Sequence, residues 1–422
     1  MVRNINFIFK EILGLANKVG FIHLLSANIL IQIAGFGGQI FLTRILSVED
    51  IGTIKILQSY LNILVIIASL GLNTSVLKLC SENINEKDRI SIFNVSVIFT
   101  LISSLILIFI VNKLVTVHNI KVNNLLSVYV YLIPILSLTN LIIVYLQSQQ
   151  KIKTMSLIQS YSKVFIVVFS TAFAYGLGLE GYIYSLVILN LFSFILILLF
   201  IRREIKFASI RNVSIDQLKK IFSIALFSLG ANLVGVLLSN LNIIIANILT
   251  NDSKEIGYYG IAQLIITTMM IIPSTLGQIM VPKISKVSNN IEDVKYILKT
   301  YQKRNTILAF SVALIAGIFA PLIIPFVFGE NYIKSVYYFE ILLLGFIFWS
   351  LYSPKGITLM SVGRSDANFY VSLISVTLNF ILNYLLIIRY GMLGAAVANT
   401  IVYFITIFTN DFFFRKFYLK KW

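Results

Sequence analysis

The chain has 422 residues, of which 58 % are hydrophobic and only 12 % charged, with a net charge of +17. A soluble domain carries about 25 % charged residues, so this composition excludes a water-soluble globule and makes lipid the main solvent. A single cysteine, Cys80, excludes an intrachain disulfide, and two distant histidines, His23 and His118, exclude metal or haem chemistry built on Cys and His.

A bilayer-crossing helix needs about 20 mainly apolar residues. Met1 to Gly20 carries Arg3, Lys10 and Lys18 and runs straight into an apolar stretch too long for a signal-peptide core, read as an uncleaved first span. Spans are predicted near 22–43, 51–72, 90–111, 125–146, 156–177 and 182–201, then near 221–248, 257–281, 306–328, 338–360, 368–388 and 393–414. The fold class is thus all-α and polytopic, with about twelve transmembrane helices.

Twelve spans put both termini on one side. Of the 34 lysines and arginines, 26 then fall on that side and six on the other, while Lys55 and Lys163 lie inside spans. This asymmetry places the termini in the cytoplasm of an inner-membrane protein. It also absorbs the positive charge without nucleic acid as a partner. No segment outside the spans exceeds about 25 residues, leaving no room for a soluble catalytic domain.

The basic stretch 206–220 divides the chain into two six-span halves, 1–205 and 221–422. Ser26-Ala27-Asn28 echoes Gly230-Ala231-Asn232. Ile51-Gly52, Gln58 and Val76-Leu77-Lys78 echo Ile256-Gly257, Gln263 and Val281-Pro282-Lys283 at one offset of 205 residues. Gly178-Leu179-Glu180-Gly181 echoes Gly391-Met392-Leu393-Gly394. Six spans per half make the repeat parallel, a recurrent transporter plan.

Polar side chains in hydrocarbon face protein or water. Asn28, Gln32, Gly35 and Gln39 share a stripe on the first span, Lys55, Gln58 and Asn62 on the second, and Ser156, Gln159, Lys163 and Ser170 on the fifth. Asn232, Ser239 and Asn240 mark the seventh, Gln263, Thr267 and Gln278 the eighth, Asn379 and Asn383 the eleventh. Such groups serve as interhelical hydrogen-bond glue or line an aqueous cavity. Lys163 lies about 12 Å into its span at 1.5 Å per residue, too deep to snorkel easily, and reads as a counter-charge for an anion. Lys55, near a span end, and Arg44 are further candidates. The predicted cavity set is Lys163, Lys55, Arg44, Asn28, Gln32, Gln58, Asn62, Gln159, Asn232 and Gln263. Glu180, Glu340 and Asp411 read as interfacial, so the acid that would couple transport to a proton or sodium stays unassigned, with Glu340 and Asp411 the nearest candidates. Pro134, Pro273, Pro321, Pro325 and Pro354 predict kinks or local unwinding.

The chain resembles the bacterial polysaccharide-biosynthesis flippases, the O-antigen or capsule repeat-unit translocases of the multidrug/oligosaccharidyl-lipid/polysaccharide exporter superfamily. The resemblance lies in Ala27-Asn28, in Arg44-Ile45-Leu46-Ser47-Val48-Glu49-Asp50-Ile51-Gly52, in Val281-Pro282-Lys283-Ile284-Ser285 and in Tyr390-Gly391-Met392-Leu393-Gly394-Ala395-Ala396-Val397-Ala398. It implies two six-helix lobes in a V in the bacterial inner membrane, alternating access and no enzymatic activity. It implies an undecaprenyl-pyrophosphate-linked oligosaccharide as substrate, with Lys163 and Lys55 meeting the pyrophosphate. A polysaccharide polymerase and a chain-length regulator would be partners, no cofactor would be needed beyond a coupling ion, and the transporter would work as a monomer. The rival readings are a cation-coupled multidrug exporter of the same superfamily, which would need a buried acid, and a membrane polysaccharide polymerase, which would need a catalytic outer loop.

Overall fold

The computed structural model describes residues 21–117, 119–202, 214–288 and 290–418, with side chains from Leu30 onward. Arg3, Lys10, Lys18, His118, Arg203, Lys206, Arg211, Lys420 and Lys421, and the side chains of His23 and Asn28, lie outside these. Among the described residues the regular elements are all helical: α1 (Phe21–Ile45), α2 (Val48–Ala68), α3 (Leu72–Ser81), α4 (Glu86–Leu114), α5 (Ile120–Tyr129), α6 (Leu132–Ser148), α7 (Ile152–Ile201), α8 (Ile215–Thr250), α9 (Ser253–Lys286), α10 (Ile291–Phe328), a 3-10 turn (Glu330–Tyr332), α11 (Ser335–Ser361), α12 (Ser365–Tyr390) and α13 (Met392–Phe417). Among the described residues nine helices are long and apolar enough to cross a bilayer, or ten if α5 and α6, bent by 43° across a short break, form one span.

Helix is the structure that satisfies every backbone group from within one apolar segment. Hydroxyls inside the spans do the same by folding back on their own helix. Ser96 donates to the Ile92 carbonyl at 2.8 Å, Ser104 to Thr100 at 2.7 Å and Ser350 to Phe346 at 2.8 Å.

Three features refine the span reading. The predicted 51–72 run ends early: Leu70 and Gly71 take positive φ of 49° and 72°, and the chain restarts as α3. A Cβ at Gly71 would stand 2.1 Å from the Ala225 carbonyl oxygen, so the turn requires glycine. Of the five prolines expected to disturb their spans, only Pro134 follows a break, while Pro273, Pro321, Pro325 and Pro354 sit inside unbroken helices. Last, α7 is a hairpin of two arms. Gly178 breaks it with φ 66°, ψ −151°, and Phe165 and Phe192, one on each arm, bring their ring centroids within 5.8 Å. In a straight helix those residues would be about 40 Å apart. Gly391, its counterpart in the repeat, has nearly the same conformation, φ 57°, ψ −143°, and turns α12 into α13.

The chain forms two compact units. Of the described residues, those within 1–46, 63–116 and 123–232 make up unit 1 and those within 47–62, 117–122 and 233–422 make up unit 2. In unit 1, α1 packs on α7, and α3, α4 and α6 pack on one another. Its core holds Leu72, Val76, Phe93, Leu141, Leu146 and Ile221, all buried. In unit 2, α11 packs against α9, α10 and α13, and α12 against α13. A buried cluster of Ile284, Val294, Leu359, Ala367 and Phe414 closes one end.

Candidate functional site

The Leu-Ser-x-Glu-Asp-x-Gly element at the start of α2 explains itself in unit 2. Ser47 and Asp50 cap the helix reciprocally: the Ser47 hydroxyl donates to Asp50 Oδ2 at 2.8 Å and the Asp50 amide donates to Ser47 Oγ at 3.1 Å. Asp50 Oδ1 also receives Lys121 Nζ at 2.7 Å. The same device recurs 205 residues on. Asp252 caps α9 by accepting the Glu255 amide at 3.0 Å, and Glu255 lies 3.7 Å from Lys334 Nζ and accepts the Tyr338 hydroxyl.

The two capped helices cross at glycine. A Cβ on Gly52 would stand 1.6 Å from the Ser253 carbonyl oxygen, and one on Gly257 would stand 2.2 Å from the Val48 carbonyl oxygen. Each glycine thus meets the residue four before its own counterpart, as a two-fold crossing demands. The next positions in register are Lys55 and Gly260, and here the symmetry breaks: the Lys55 stem lies across Gly260, with Cγ 2.7 Å from where a Cβ would be. Lys55 is half-buried, and its ammonium has no hydrogen-bond or ion-pair partner among the described residues. Further along, Asn62 Nδ2 donates to Asn240 Oδ1 at 3.2 Å and Gln263 Nε2 to the Ser239 carbonyl at 3.1 Å. Gln58 is half-buried beside them in sequence.

Unit 1 repeats the lysine-over-glycine arrangement with other residues. On α7, Lys163 Cε lies 3.7 Å from a Cβ placed on Gly35 of α1, and Val167, one turn on, fills the notch at Gly38. The Lys163 side chain is exposed and has no hydrogen-bond or ion-pair partner among the described residues. Gln159 is half-buried, while Gln32 and Asn232 are exposed. Gln39 Oε1 is buried without a partner. Arg44 is exposed in the last turn of α1. Asn28 lies outside the described side chains.

The acids are occupied or outlying. Asp411 pairs with Lys355 and with Arg415 Nε at 2.8 Å. Glu340 is exposed on α11 and Glu180 on the α7 hairpin. Among the described residues no cluster of three His, Cys, Asp or Glu side chains could hold a metal.

Each unit also holds a cavity that the sequence reading did not single out. Between the arms of α7 in unit 1 is an apolar cleft of about 540 Å³, lined by Leu157, Tyr161, Phe165, Leu196 and Phe200. In unit 2, α11, α12 and α13 enclose about 310 Å³ lined by aromatic, hydroxyl and amide side chains, among them Trp349, Tyr352, Asn368, Ser372, Tyr403 and Asn410. The sequence held a signal for the second: Asn368, Ser372, Ser375, Asn379 and Asn383 form one polar stripe down α12.

A bundle of apolar helices with two unneutralised lysines at span depth is a multi-pass membrane transporter in class. The comparisons with known proteins place it further. The chain belongs to a family of polysaccharide biosynthesis proteins, whose pattern matches residues 41–337. It is 25 % identical over 382 residues to a putative O-antigen transporter of Shigella flexneri, covering 86 % of this chain and 88 % of that one. It is 26 % identical over 393 residues to a probable low-salt glycan biosynthesis flippase of Haloferax volcanii, covering 90 % and 79 %. Its fold is that of the lipid II flippase MurJ in an inward closed conformation, with a TM-score of 0.72 at 17 % identity over 91 % of this chain and 87 % of that one. An inward-facing multidrug resistance transporter of the MOP superfamily gives 0.73 at 14 % identity, covering 94 % and 97 %.

Proposed function

We propose that the protein is a flippase that carries lipid-linked oligosaccharide repeat units across the membrane for assembly of a surface polysaccharide. The carrying observation is the pair of lysines at span depth, Lys163 over Gly35 and Lys55 over Gly260, each without a partner. An unpaired ammonium in a span is costly, and a pyrophosphate headgroup is the compact anion that would offset that cost. The family membership and the two named relatives support the same substrate class. A transporter rather than an enzyme follows from the same relatives.

The finer reading is twelve spans. The α7 hairpin counts as two, α5 with α6 as one, and α1 as the first. The six-span lobes would be 1–205 and 221–422, with both termini in the cytoplasm, an inner-membrane location and transport by alternating access as a monomer. The substrate lipid would be undecaprenyl pyrophosphate, with a polymerase and a chain-length regulator downstream. Coupling to a proton or sodium would have to use an acid other than Asp411, which two cations already neutralise.

The test is deletion of the gene in its host, followed by analysis of surface polymer and of lipid-linked oligosaccharide in the membrane. Loss of polymer, accumulation of repeat units on the cytoplasmic leaflet, and rescue by the wild type but not by Lys163→Ala are expected. Intact polymer with new sensitivity to cationic drugs would replace this reading with the multidrug one.

A further inference from the structure

We propose that the cavity of unit 2 is a sugar-reading subsite, where an uncharged ring of the oligosaccharide stacks on Trp349, Tyr352 and Tyr403 and hydrogen-bonds to Asn368 and Asn410. The proposal rests on the flippase reading and adds where the sugar, as distinct from the phosphate, is recognised.

The lining sets the chemistry. It holds no Lys, Arg, Asp or Glu, so the ligand it fits is neither a phosphate nor a cationic drug. Its volume, about 310 Å³, is at the small end for ligand pockets. That suits one or two sugar rings and is too small for a polyprenyl chain. Trp349, Tyr352 and Tyr403 supply flat apolar faces for the C–H face of a pyranose; the Tyr352 and Tyr403 ring centroids stand 6.4 Å apart.

The amides point to a hydroxylated ligand. Asn410 is 2 % exposed, and its Oδ1 is buried without a partner. An acceptor left so in an apolar span is costly, and an O–H donor entering the cavity would satisfy it. Asn368 spends its Nδ2 on the Gly356 carbonyl at 2.8 Å, leaving Oδ1 to accept. Gly356 faces the space between the two amides: a Cβ there would lie 3.5 Å from Asn368 Oδ1 and 3.7 Å from Asn410 Nδ2. A lipid acyl chain would fill the volume and leave Asn410 Oδ1 unpaired.

The chain supplies its own reporter, since Trp349 and Trp422 are its two tryptophans. In a Trp422→Phe background the full chain, in lipid nanodiscs, is titrated with two probes while Trp349 emission is recorded. One is the lipid-linked oligosaccharide fraction that accumulates in the deletion strain, and the other is sugar-free undecaprenyl pyrophosphate. The oligosaccharide lipid is expected to change the emission saturably and the sugar-free lipid not to. Asn410→Leu and Gly356→Ala are each expected to raise half-saturation by about ten-fold, with unfolding temperature and chromatographic profile kept. An equal response to both lipids would overturn the sugar subsite and leave the flippase reading standing. So would no response to either in a chain that still rescues the deletion strain. If the deletion strain accumulates no lipid-linked oligosaccharide, the flippase reading falls and the subsite falls with it.

Discussion

Residues 47–58 and 252–263 are two copies of one device, alike in cap, paired acid, crossing glycine and glutamine, and unlike where Lys55 faces Gly260. Both open with a side-chain cap, Ser47 and Asp252, followed three residues on by an acid paired with a lysine, Asp50 with Lys121 and Glu255 with Lys334. Both carry the crossing glycine, Gly52 or Gly257, and a glutamine, Gln58 or Gln263. Between them one copy has Lys55 and the other has Gly260, the groove for its stem. The repeat is kept where backbones touch and abandoned where charge is needed. The cavities diverge in the same way: an apolar cleft in unit 1, and an uncharged polar pocket in unit 2.

The strongest way to break this comparison is at the crossing. With a carbonyl oxygen 1.6 Å from its Cβ position, Gly52→Val must push two helix backbones apart. The expected cost is at the top of single-substitution effects, about 4 kcal/mol or more. It should show as loss of monodisperse protein after detergent extraction; a normal yield would mean that the helices do not meet there. Lys163→Ala comes next, abolishing rescue while yield stays at wild-type level.

Lys55 and Gly260 allow a sharper test, because the two face each other. Lys55→Gly alone should lower transport roughly ten-fold, the weight of about 1.4 kcal/mol. Gly260→Lys alone sets two stems in one groove and should do worse. The double exchange puts the ammonium back from the opposite helix and should recover most of the activity. Recovery no better than that of the worse single variant would show that this lysine serves more than its charge. Lys55→Arg should keep more activity than Lys55→Ala for the same reason.

Span positions and the internal repeat were legible because hydropathy and helix length are local properties. Gly178 and Gly391 could be matched as letters, yet only their shared φ near +60° shows that both reverse the chain. The intramembrane lysines stood out because charge in an apolar run is rare. Their glycine grooves did not, since a groove depends on which helices meet. The unit 2 pocket was missed because Trp349, Tyr352 and Tyr403 read as ordinary apolar residues until three helices enclose them. Asp50 was legible only as part of the turn motif, and Glu255 not at all, because their pairing with Lys121 and Lys334 depends on which segments meet in space.

Those caps offer a moderate effect. Asp50→Ala removes both a cap bond and the Lys121 pair and should cost about 1–2 kcal/mol. Glu255→Ala loses a partly exposed pair and the Tyr338 bond but leaves the Asp252 cap intact, and should cost about 1 kcal/mol. Thermal unfolding in detergent reads the difference, and the reverse order would mean that the two copies are not equivalent in kind.

The smallest effect lies where the copies part structurally. In the second half α9 runs unbroken to Lys286, while in the first the turn at Gly71 sets off α3, which buries Cys80 in the unit 1 core. Burial pushes the Cys80 thiol up to about 12, against a weaker opposing pull from Arg89. A raised thiol value leaves the neutral form dominant until the pH approaches that value, and the thiolate is the form that reacts. A maleimide should therefore label native Cys80 at least about ten-fold more slowly than an exposed thiol such as Lys87→Cys in a Cys80→Ala background. Raising the pH from 7 to 9 should speed both, because each gains thiolate as the pH rises toward its own value, but the exposed thiol, which titrates near 8.5, approaches its full rate while Cys80 stays far below its own. Fast labelling of Cys80 in the native chain would mean that α3 opens, and that the glycine turn separating it from α2 acts as a hinge in the first half that the second half lacks.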